Sequence, residues 1–200
     1  MRCVVPDSPT LTERVGPDVG DVAARPPALA GVEEPGARYA LRLLWWSQRG
    51  YWYGAWHGRF AGRLFSTFLA IMWWPSLPIG VAVQAYLLRR PAARYYLSPE
   101  KDAVLAVVAT AEGWHVEDHI AAHPGRGRGK ALRALVLPEL RDRADADGIA
   151  IYTTAANERL GRQYADELPG LVDVGRGNPR GRKMRREPRP STGDYSSAVP

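Results

Sequence analysis

The chain of 200 residues has little cysteine, and Cys3 is its only one. A single cysteine cannot form an internal disulfide or a cysteine metal site, which favours a reducing, cytoplasmic location. None of the four histidines pairs with another at the spacing of a helical zinc site, so we expect no bound metal. The length suffices for one domain with a core. The net charge of +6 suits an anionic partner, such as a phosphate-bearing ligand, a membrane surface or nucleic acid.

The run from Leu64 to Leu88 contains no charged residue, and its length exceeds the roughly 20 apolar residues that span a bilayer. Two prolines within Trp73–Pro78 interrupt its centre, which predicts two short apolar arms around a turn. Arginines stand at both ends, and aromatic residues crowd residues 39–60. We therefore expect a hydrophobic aromatic helical hairpin within residues 38–96. Either residues 39–90 attach it to the inner face of a membrane, or it packs on a soluble fold.

The two ends of the sequence are rich in proline and in arginine. Residues 1–37 hold six prolines without a sustained apolar period, which predicts a disordered leader. They also lack the uninterrupted apolar run of a secretory signal. Residues 176–200 form a basic tail, expected to be solvated or attracted to anionic lipid headgroups. Nucleic acid is a less favoured partner, because no aromatic residues for base stacking are interleaved with these arginines.

Two apolar stretches around a short turn predict an antiparallel pair of strands. Ala103–Thr110 is continuously apolar, and the second strand covers Trp114–Ala122. Strict alternation would place Trp114, Val116, Asp118 and Ile120 on one face, and His115, Glu117 and His119 on the other. The second set could look into a cleft, where Glu117 or His119 could take a proton from an ammonium substrate. The alternative is an ordinary exposed polar face.

Three glycines at alternate positions, Gly125, Gly127 and Gly129, open directly into an apolar-periodic helix over residues 130–146. A glycine turn at a helix start offers unpaired amides and a positive dipole end, and it binds anions. The nucleotide P-loop is excluded because Ala131, with no hydroxyl, follows Lys130. The dinucleotide fingerprint is excluded because its glycines do not alternate strictly.

This loop resembles the pyrophosphate loop of the GNAT superfamily of N-acetyltransferases, Arg/Gln-x-x-Gly-x-Gly/Ala, with Gly127 and Gly129 in the two small positions. Pro124 departs from the motif, which has Arg or Gln there. A strand over residues 148–154 and the stretch Asn157–Tyr164 then resemble the second GNAT signature, Asn-x-x-Ala-x-x-Leu-Tyr. The resemblance covers residues 97–175. It implies an α/β fold with a mixed, mainly antiparallel sheet flanked by helices, preceded here by the hairpin.

The resemblance also implies acetyl-CoA as co-substrate, without metal, and an amine as acceptor. In that family the amides of the loop hold the pyrophosphate, the end of the preceding strand pairs with the pantetheine arm, and the signature tyrosine faces the sulfur. Carried onto this sequence, Tyr164 becomes the general acid, and the cofactor-binding residues are Ala121, Ala122, Arg126, Gly127, Arg128, Gly129, Lys130 and Asn157.

The expected function is acetyl-CoA-dependent acetylation of an amine of unknown identity. The alternative is a GNAT-like module that has lost the chemistry and binds CoA, anionic lipid or nucleic acid through its basic loop and tail. Pro124 in the loop favours this alternative, whereas Asn157 and Tyr164 favour the enzyme.

Overall fold

The structure, a computed structural model, describes residues 23–57, 60–177 and 181–189. A six-stranded sheet in the order β1-β2-β3-β4-β6-β5 forms its centre, and only β3 and β4 pair in parallel. Its elements are α1 (Ala40–His57), α2 (Phe60–Leu87), β1 (Ala93–Leu97), β2 (Ala103–Thr110), β3 (Gly113–Ala121), α3 (Arg128–Asp147), β4 (Ile151–Ala155), α4 (Glu158–Glu167), β5 (Val172–Arg176) and β6 (Arg182–Arg186).

Helices cover both faces of the sheet, as expected for a mixed, mainly antiparallel α/β fold. The apolar strand β2 is buried on both sides, and β2 and β3 form the predicted antiparallel pair. On one side of the sheet, Leu105 and Val107 pack with the apolar stripe of α3. On the other side, Val104 packs with Leu43 and Trp46 of α1. The sheet is therefore the layer between two cores.

The part of the predicted leader that the structure describes, from residue 23 onward, is ordered, which corrects the expectation of disorder through residue 37. Leu29 is 7% exposed and belongs to the core on the α3 side. The Trp114 indole donates to the Ala24 carbonyl at 2.6 Å, and Tyr96 donates to the Pro27 carbonyl at 2.8 Å. These buried donors need acceptors, and the segment supplies them. Residues 1–22 lie outside the described part of the chain.

The hairpin forms, but the predicted turn at Trp73–Pro78 is wrong. Helix α2 continues through Pro75 and Pro78, and the two arms of the hairpin are α1 and α2, which pack against each other. Gln48 Nε2 donates to the Ala70 carbonyl at 3.0 Å, and Trp45 packs edge-on against Trp73. A proline removes one helical hydrogen bond, and packing against a second helix along its length offsets that loss. One helix of the described chain, over Gly62–Leu87, is long and apolar enough to cross a membrane.

The predicted tail also needs correction, because residues 182–186 form strand β6 between β4 and β5. Four of its five residues are basic, so its sequence lacks the apolar alternation of an ordinary strand. Met184 nevertheless faces the core on the α3 side. Arg186 is 1% exposed and donates to both carboxylate oxygens of Asp145 at 2.7 Å. Ion pairing to Asp145 on α3 makes the burial of this arginine tolerable. Residues 190–200 lie outside the described part.

Candidate active site

The candidate site lies where β3 and β4 separate. The two strands pair in parallel from Trp114/Ile151 only as far as Val116/Thr153, whereas β3 continues to Ala121. A cavity of about 430 Å³ opens in the gap between them. Its lining combines polar and apolar side chains from β3, α3, β4, α4 and the loops next to β4 and α4: His115, Val116, Glu117, His119, Arg133, Leu137, Thr153, Thr154, Ala156, Leu160, Tyr164, Leu168 and Leu171. All three predicted catalytic residues border this one cavity.

A β-bulge in β3 changes which of these residues share a face. Glu117 pairs with Ala106 but His119 pairs with Leu105, so one extra residue is inserted in β3. Strict alternation therefore fails after Glu117. His119 turns to the α3 side, and Ile120 packs in the core on the hairpin side. The predicted grouping of His115, Glu117 and His119 on one face is wrong. The three still meet at the cavity because it lies between the strands.

Arg133 of α3 is the buried centre of a polar cluster that our sequence-based predictions missed. It is 7% exposed, pairs with the Glu167 carboxylate of α4, and places Nη1 at 2.7 Å from His119 Nε2. Gln163 Nε2 also donates to Glu167 at 2.9 Å. The signal was present, because Arg133 occupies the same helical stripe as the buried Leu137, Leu140 and Ala144. A charged residue in such a stripe indicates a buried partner.

This cluster determines the protonation of His119. The pKa of the His119 imidazole is lowered to about 4, mainly by burial and also by the adjacent Arg133 guanidinium, against the opposing effect of Glu167. An arginine can only donate, so the ring nitrogen facing it must be an unprotonated acceptor. His119 is therefore neutral at physiological pH. Burial alone would raise the pKa of Glu167, but hydrogen bonds from Arg133 and Gln163 outweigh it and leave this pKa below its usual range.

Tyr164 stands over the same arginine. The Arg133 guanidinium carbon lies 5.1 Å from the centre of the tyrosine ring, a cation–π geometry. Burial raises the pKa of the Tyr164 phenol, and the positive charge of Arg133 opposes this only in part. The phenol therefore holds its proton at neutral pH and can donate it within the cavity.

His115 and Glu117 form a second pair at the cavity. His115 Nδ1 lies 2.8 Å from Glu117 Oε1. This hydrogen bond lowers the pKa of the Glu117 carboxyl against the raising effect of its partial burial. A carboxylate only accepts, so Nδ1 carries the proton and leaves Nε2 of His115 able to accept one. His115 was noted in the sequence but not selected as catalytic.

The glycine loop has the backbone geometry of an anion site. Gly125 and Gly127 have φ of +80° and +72°, and Gly127 is the N-cap of α3. Such φ values disfavour any residue with a side chain. A side-chain carbon at Gly127 would meet no atom within 4 Å, so the space beside Gly127 at the start of α3 is open. These amides have no acceptor inside the helix.

The predicted loop residues differ in what their side chains contact. Arg126 and Lys130 are exposed beside the amides. Arg128 instead pairs with Asp102 at the start of β2, at 3.0 Å. Gly129 packs against the site, because a side-chain carbon there would lie 2.9 Å from His119 Nε2. A side chain at this position would force the His119 ring or the helix start to shift.

The other predicted CoA-binding residues have structural partners. Ala122 donates its amide to the Asp102 carbonyl at 2.7 Å, and Ala121 pairs with Ala103. Asn157 caps α4, because its side-chain oxygen accepts from the Leu160 amide at 2.9 Å. Helix capping is by itself a sufficient reason for an asparagine at this position, so its presence does not require a bound ligand. Its role in binding CoA stays a prediction.

A second cavity, of about 540 Å³, lies between the hairpin and the end of β3. Residues of α1, Gln84 of α2 and residues 119–121 line it, so His119 separates it from the first cavity. Helix α1 also reaches the glycine loop. Arg49 Nη2 lies 3.5 Å from His123 Nδ1, and the Tyr53 hydroxyl would lie 2.6 Å from a side-chain carbon at Gly125. The hairpin therefore forms one wall beside the site.

No protein-family model and no curated protein sequence matches this chain. Its structure is similar to the crystal structure of PaiA N-acetyltransferase from Thermoplasma acidophilum in complex with coenzyme A, with a TM-score of 0.52 and 7% identity. That match covers 78% of this chain and 97% of the other. An acetyltransferase from Thermus thermophilus matches with a TM-score of 0.46 and 17% identity, over 78% of this chain and 95% of the other.

Proposed function

We propose that this chain, which has the GNAT fold, binds acetyl-CoA and transfers its acetyl group to an amine. The observation that carries the proposal is the separation of β3 from β4 beside the start of α3. This arrangement places an anion-binding helix terminus, a free strand edge and a cavity with proton donors and acceptors next to one another. It is supported by the similarity to a protein crystallised with coenzyme A.

The residues present suit the binding of such a substrate. The first amides of α3 would hold a phosphate, the space beside Gly127 is open, and Arg126 and Lys130 add positive charge. The edge of β3 after Val116 has left β4, so its backbone groups can pair with the amides of an extended arm. The thioester end would then lie in the cavity near Tyr164.

Transfer requires two proton movements. The amine nitrogen forms a bond to the acyl carbon and loses a proton, while the carbon–sulfur bond breaks and the sulfur gains one. We assign the first to the His115 and Glu117 pair, because the carboxylate orients the ring and stabilises it once it is charged. We assign the second to the Tyr164 phenol. His119 holds the cavity wall, since Arg133 occupies its ring nitrogen.

Turnover of acetyl-CoA with a panel of primary amines tests this proposal. The full chain should release free thiol from acetyl-CoA in an acceptor-dependent way, and thermal shift should show stabilisation by CoA in the same preparation. Stabilisation without thiol release for any amine would favour the non-catalytic binding module. If CoA does not stabilise the protein and no amine leads to thiol release, the proposal is refuted.

A further inference from the structure

The outward side of α2 is apolar along nearly its whole length. Phe65, Phe68, Ile71, Ile79, Val83 and Tyr86 are each at least 50% exposed. The opposite side of the helix, including Ala70 and Trp73, packs against α1. From Leu64 to Tyr86 this face extends roughly 30 Å at the helical rise per residue. Exposed apolar surface of this size marks an interaction site.

Helix α1 extends the same surface with tryptophans. Trp45, Trp52 and Trp56 are 47%, 41% and 72% exposed. Trp45 contacts Trp73, which in turn contacts Trp74 on the outer side of α2. The two helices thus present one continuous surface, which we term the outer face. Tryptophan favours the boundary between water and lipid because its ring is apolar and its N–H is polar.

The packing of α1 decides between a segment that spans a bilayer and one that lies on it. Leu43 and Trp46 are buried in the core on the sheet, and Tyr53 lies against Gly125 of the glycine loop. The inner side of α1 is therefore held against the domain along the helix. The hairpin cannot leave the sheet to span a membrane without exposing that core. Only its outer face is available to lipid.

The prolines of α2 agree with a shallow position. Pro75 and Pro78 cannot donate to the carbonyls of Ile71 and Trp74. Carbonyls without a helical donor are costly in the hydrocarbon centre of a bilayer, whereas at its surface water can reach them. Ile71 and Trp74 are both 59% exposed, so their side of the helix faces the surroundings.

The charge of this region favours a membrane over a second copy of the chain as the partner of the outer face. Residues 35–99 contain eight arginines and no aspartate or glutamate, and of these arginines Arg38 and Arg94 pair with Glu33 and Glu34 just before this range. Pairing two outer faces would bring arginines together without a carboxylate from this region. Anionic headgroups provide the missing negative charge. Arg42, Arg89 and Arg90 are all exposed around the hairpin.

We propose that the outer face of the α1–α2 hairpin docks the protein in the plane of an anionic lipid bilayer. The apolar side chains enter the boundary between headgroups and acyl chains, and the flanking arginines lie among the headgroups. Attachment of this kind needs no change in the fold described above. It also brings the glycine loop close to the lipid surface, because α1 contacts that loop.

Flotation of the full chain with lipid vesicles tests the proposal. The protein should float with vesicles of phosphatidylcholine and phosphatidylglycerol, and less with phosphatidylcholine alone. Salt should weaken this binding without abolishing it, because its apolar part is not screened. Changing Phe68→Glu together with Ile71→Glu should reduce the affinity for mixed vesicles by about tenfold or more. Both side chains are 59% exposed, so the fold should be retained.

A matched control replaces two exposed apolar residues outside the hairpin with glutamate. Leu135 and Val174 are 45% and 49% exposed and lie on α3 and β5, away from the hairpin. The variant Leu135→Glu with Val174→Glu should bind mixed vesicles as the parent does. Equal loss of binding in both variants would overturn the proposal, because net charge rather than the outer face would then be responsible. Circular dichroism melting of each variant excludes misfolding as the cause.

Two further outcomes would also overturn the proposal. In the first, the parent protein does not float with either kind of vesicle and sediments as a dimer, whereas the Phe68→Glu/Ile71→Glu variant sediments as a monomer. This result would assign the outer face to contact with a second copy of the chain. Tryptophan fluorescence quenched more by lipids brominated deep in the acyl chain than by those brominated near the headgroup would indicate insertion across the bilayer. Docking in the plane predicts the reverse order of quenching.

Discussion

The neutral state of His119 has a measurable effect on stability. Its pKa is lowered from 6.5 to about 4 by burial and by Arg133. Between these values the unfolded chain binds a proton that the folded chain does not, so stability rises with pH across this window and is lost as the pH falls. Integrating over about pH 7 to about pH 5 gives a loss of about 2 kcal/mol from this one residue.

The variant His119→Gln isolates this effect, because glutamine cannot titrate but can accept a hydrogen bond from Arg133. Urea unfolding of parent and variant at the two pH values gives four free energies of unfolding. The loss on acidification should be smaller in the variant by about 2 kcal/mol. Because each protein is compared with itself, any constant cost of the substitution cancels. Carboxyl groups titrate mainly below this window.

Two results would refute this reasoning. Equal losses of stability on acidification in the parent and in His119→Gln would show that His119 has the same pKa in the folded and the unfolded chain. NMR would show the same directly. The His119 resonance is the one absent from the spectrum of the variant, and its titration near pH 6.5 in the folded parent would contradict the lowered pKa. Either result would mean that Arg133 does not hold the ring neutral, and His119 would return as a candidate for proton transfer.

Three substitutions test the loop, the proposed acid and the basic strand. Gly127→Val should weaken CoA binding by roughly tenfold, since strain at positive φ costs about 1–3 kcal/mol. The control is Gly175→Val, which is also at positive φ with open space around it and should leave CoA binding unchanged. Tyr164→Phe should lower kcat by on the order of a hundredfold while acetyl-CoA binding stays nearly intact; turnover within about twofold of the parent would exclude proton donation by this residue. Arg186→Met should destabilise the fold by about 1–3 kcal/mol in urea unfolding, because it removes both hydrogen bonds from the guanidinium to the partly exposed Asp145 carboxylate, and an unchanged free energy of unfolding would contradict the importance of that pair.

Local patterns in the sequence predicted the parts of the fold that depend on neighbouring residues. The apolar run of β2 and the turn after it predicted the β2–β3 pair. Alternating glycines before a periodic segment predicted the loop and α3, which begins at Arg128. The asparagine before α4 was singled out, and it caps that helix. Each of these features requires only residues that are close in sequence.

Features that depend on distant residues were missed. The bulge at Glu117 and His119 is a matter of register against β2, and alternation along β3 gives no sign of it. The Arg133–Glu167 pair joins two helices whose relative placement the sequence does not express. Strand β6 was taken for a tail because its arginines find partners elsewhere, such as Asp145. In each case the deciding partner lies far along the chain.

The central claim is that the start of α3 binds the pyrophosphate of acetyl-CoA, and calorimetric titration tests it most directly. Acetyl-CoA and acetyl-pantetheine carry the same thioester and arm, and only the first carries the pyrophosphate and nucleotide. We predict clearly tighter binding of acetyl-CoA, by about tenfold or more, and loss of that advantage in Gly127→Val. Equal binding of the two compounds, or no binding of acetyl-CoA, would contradict the account.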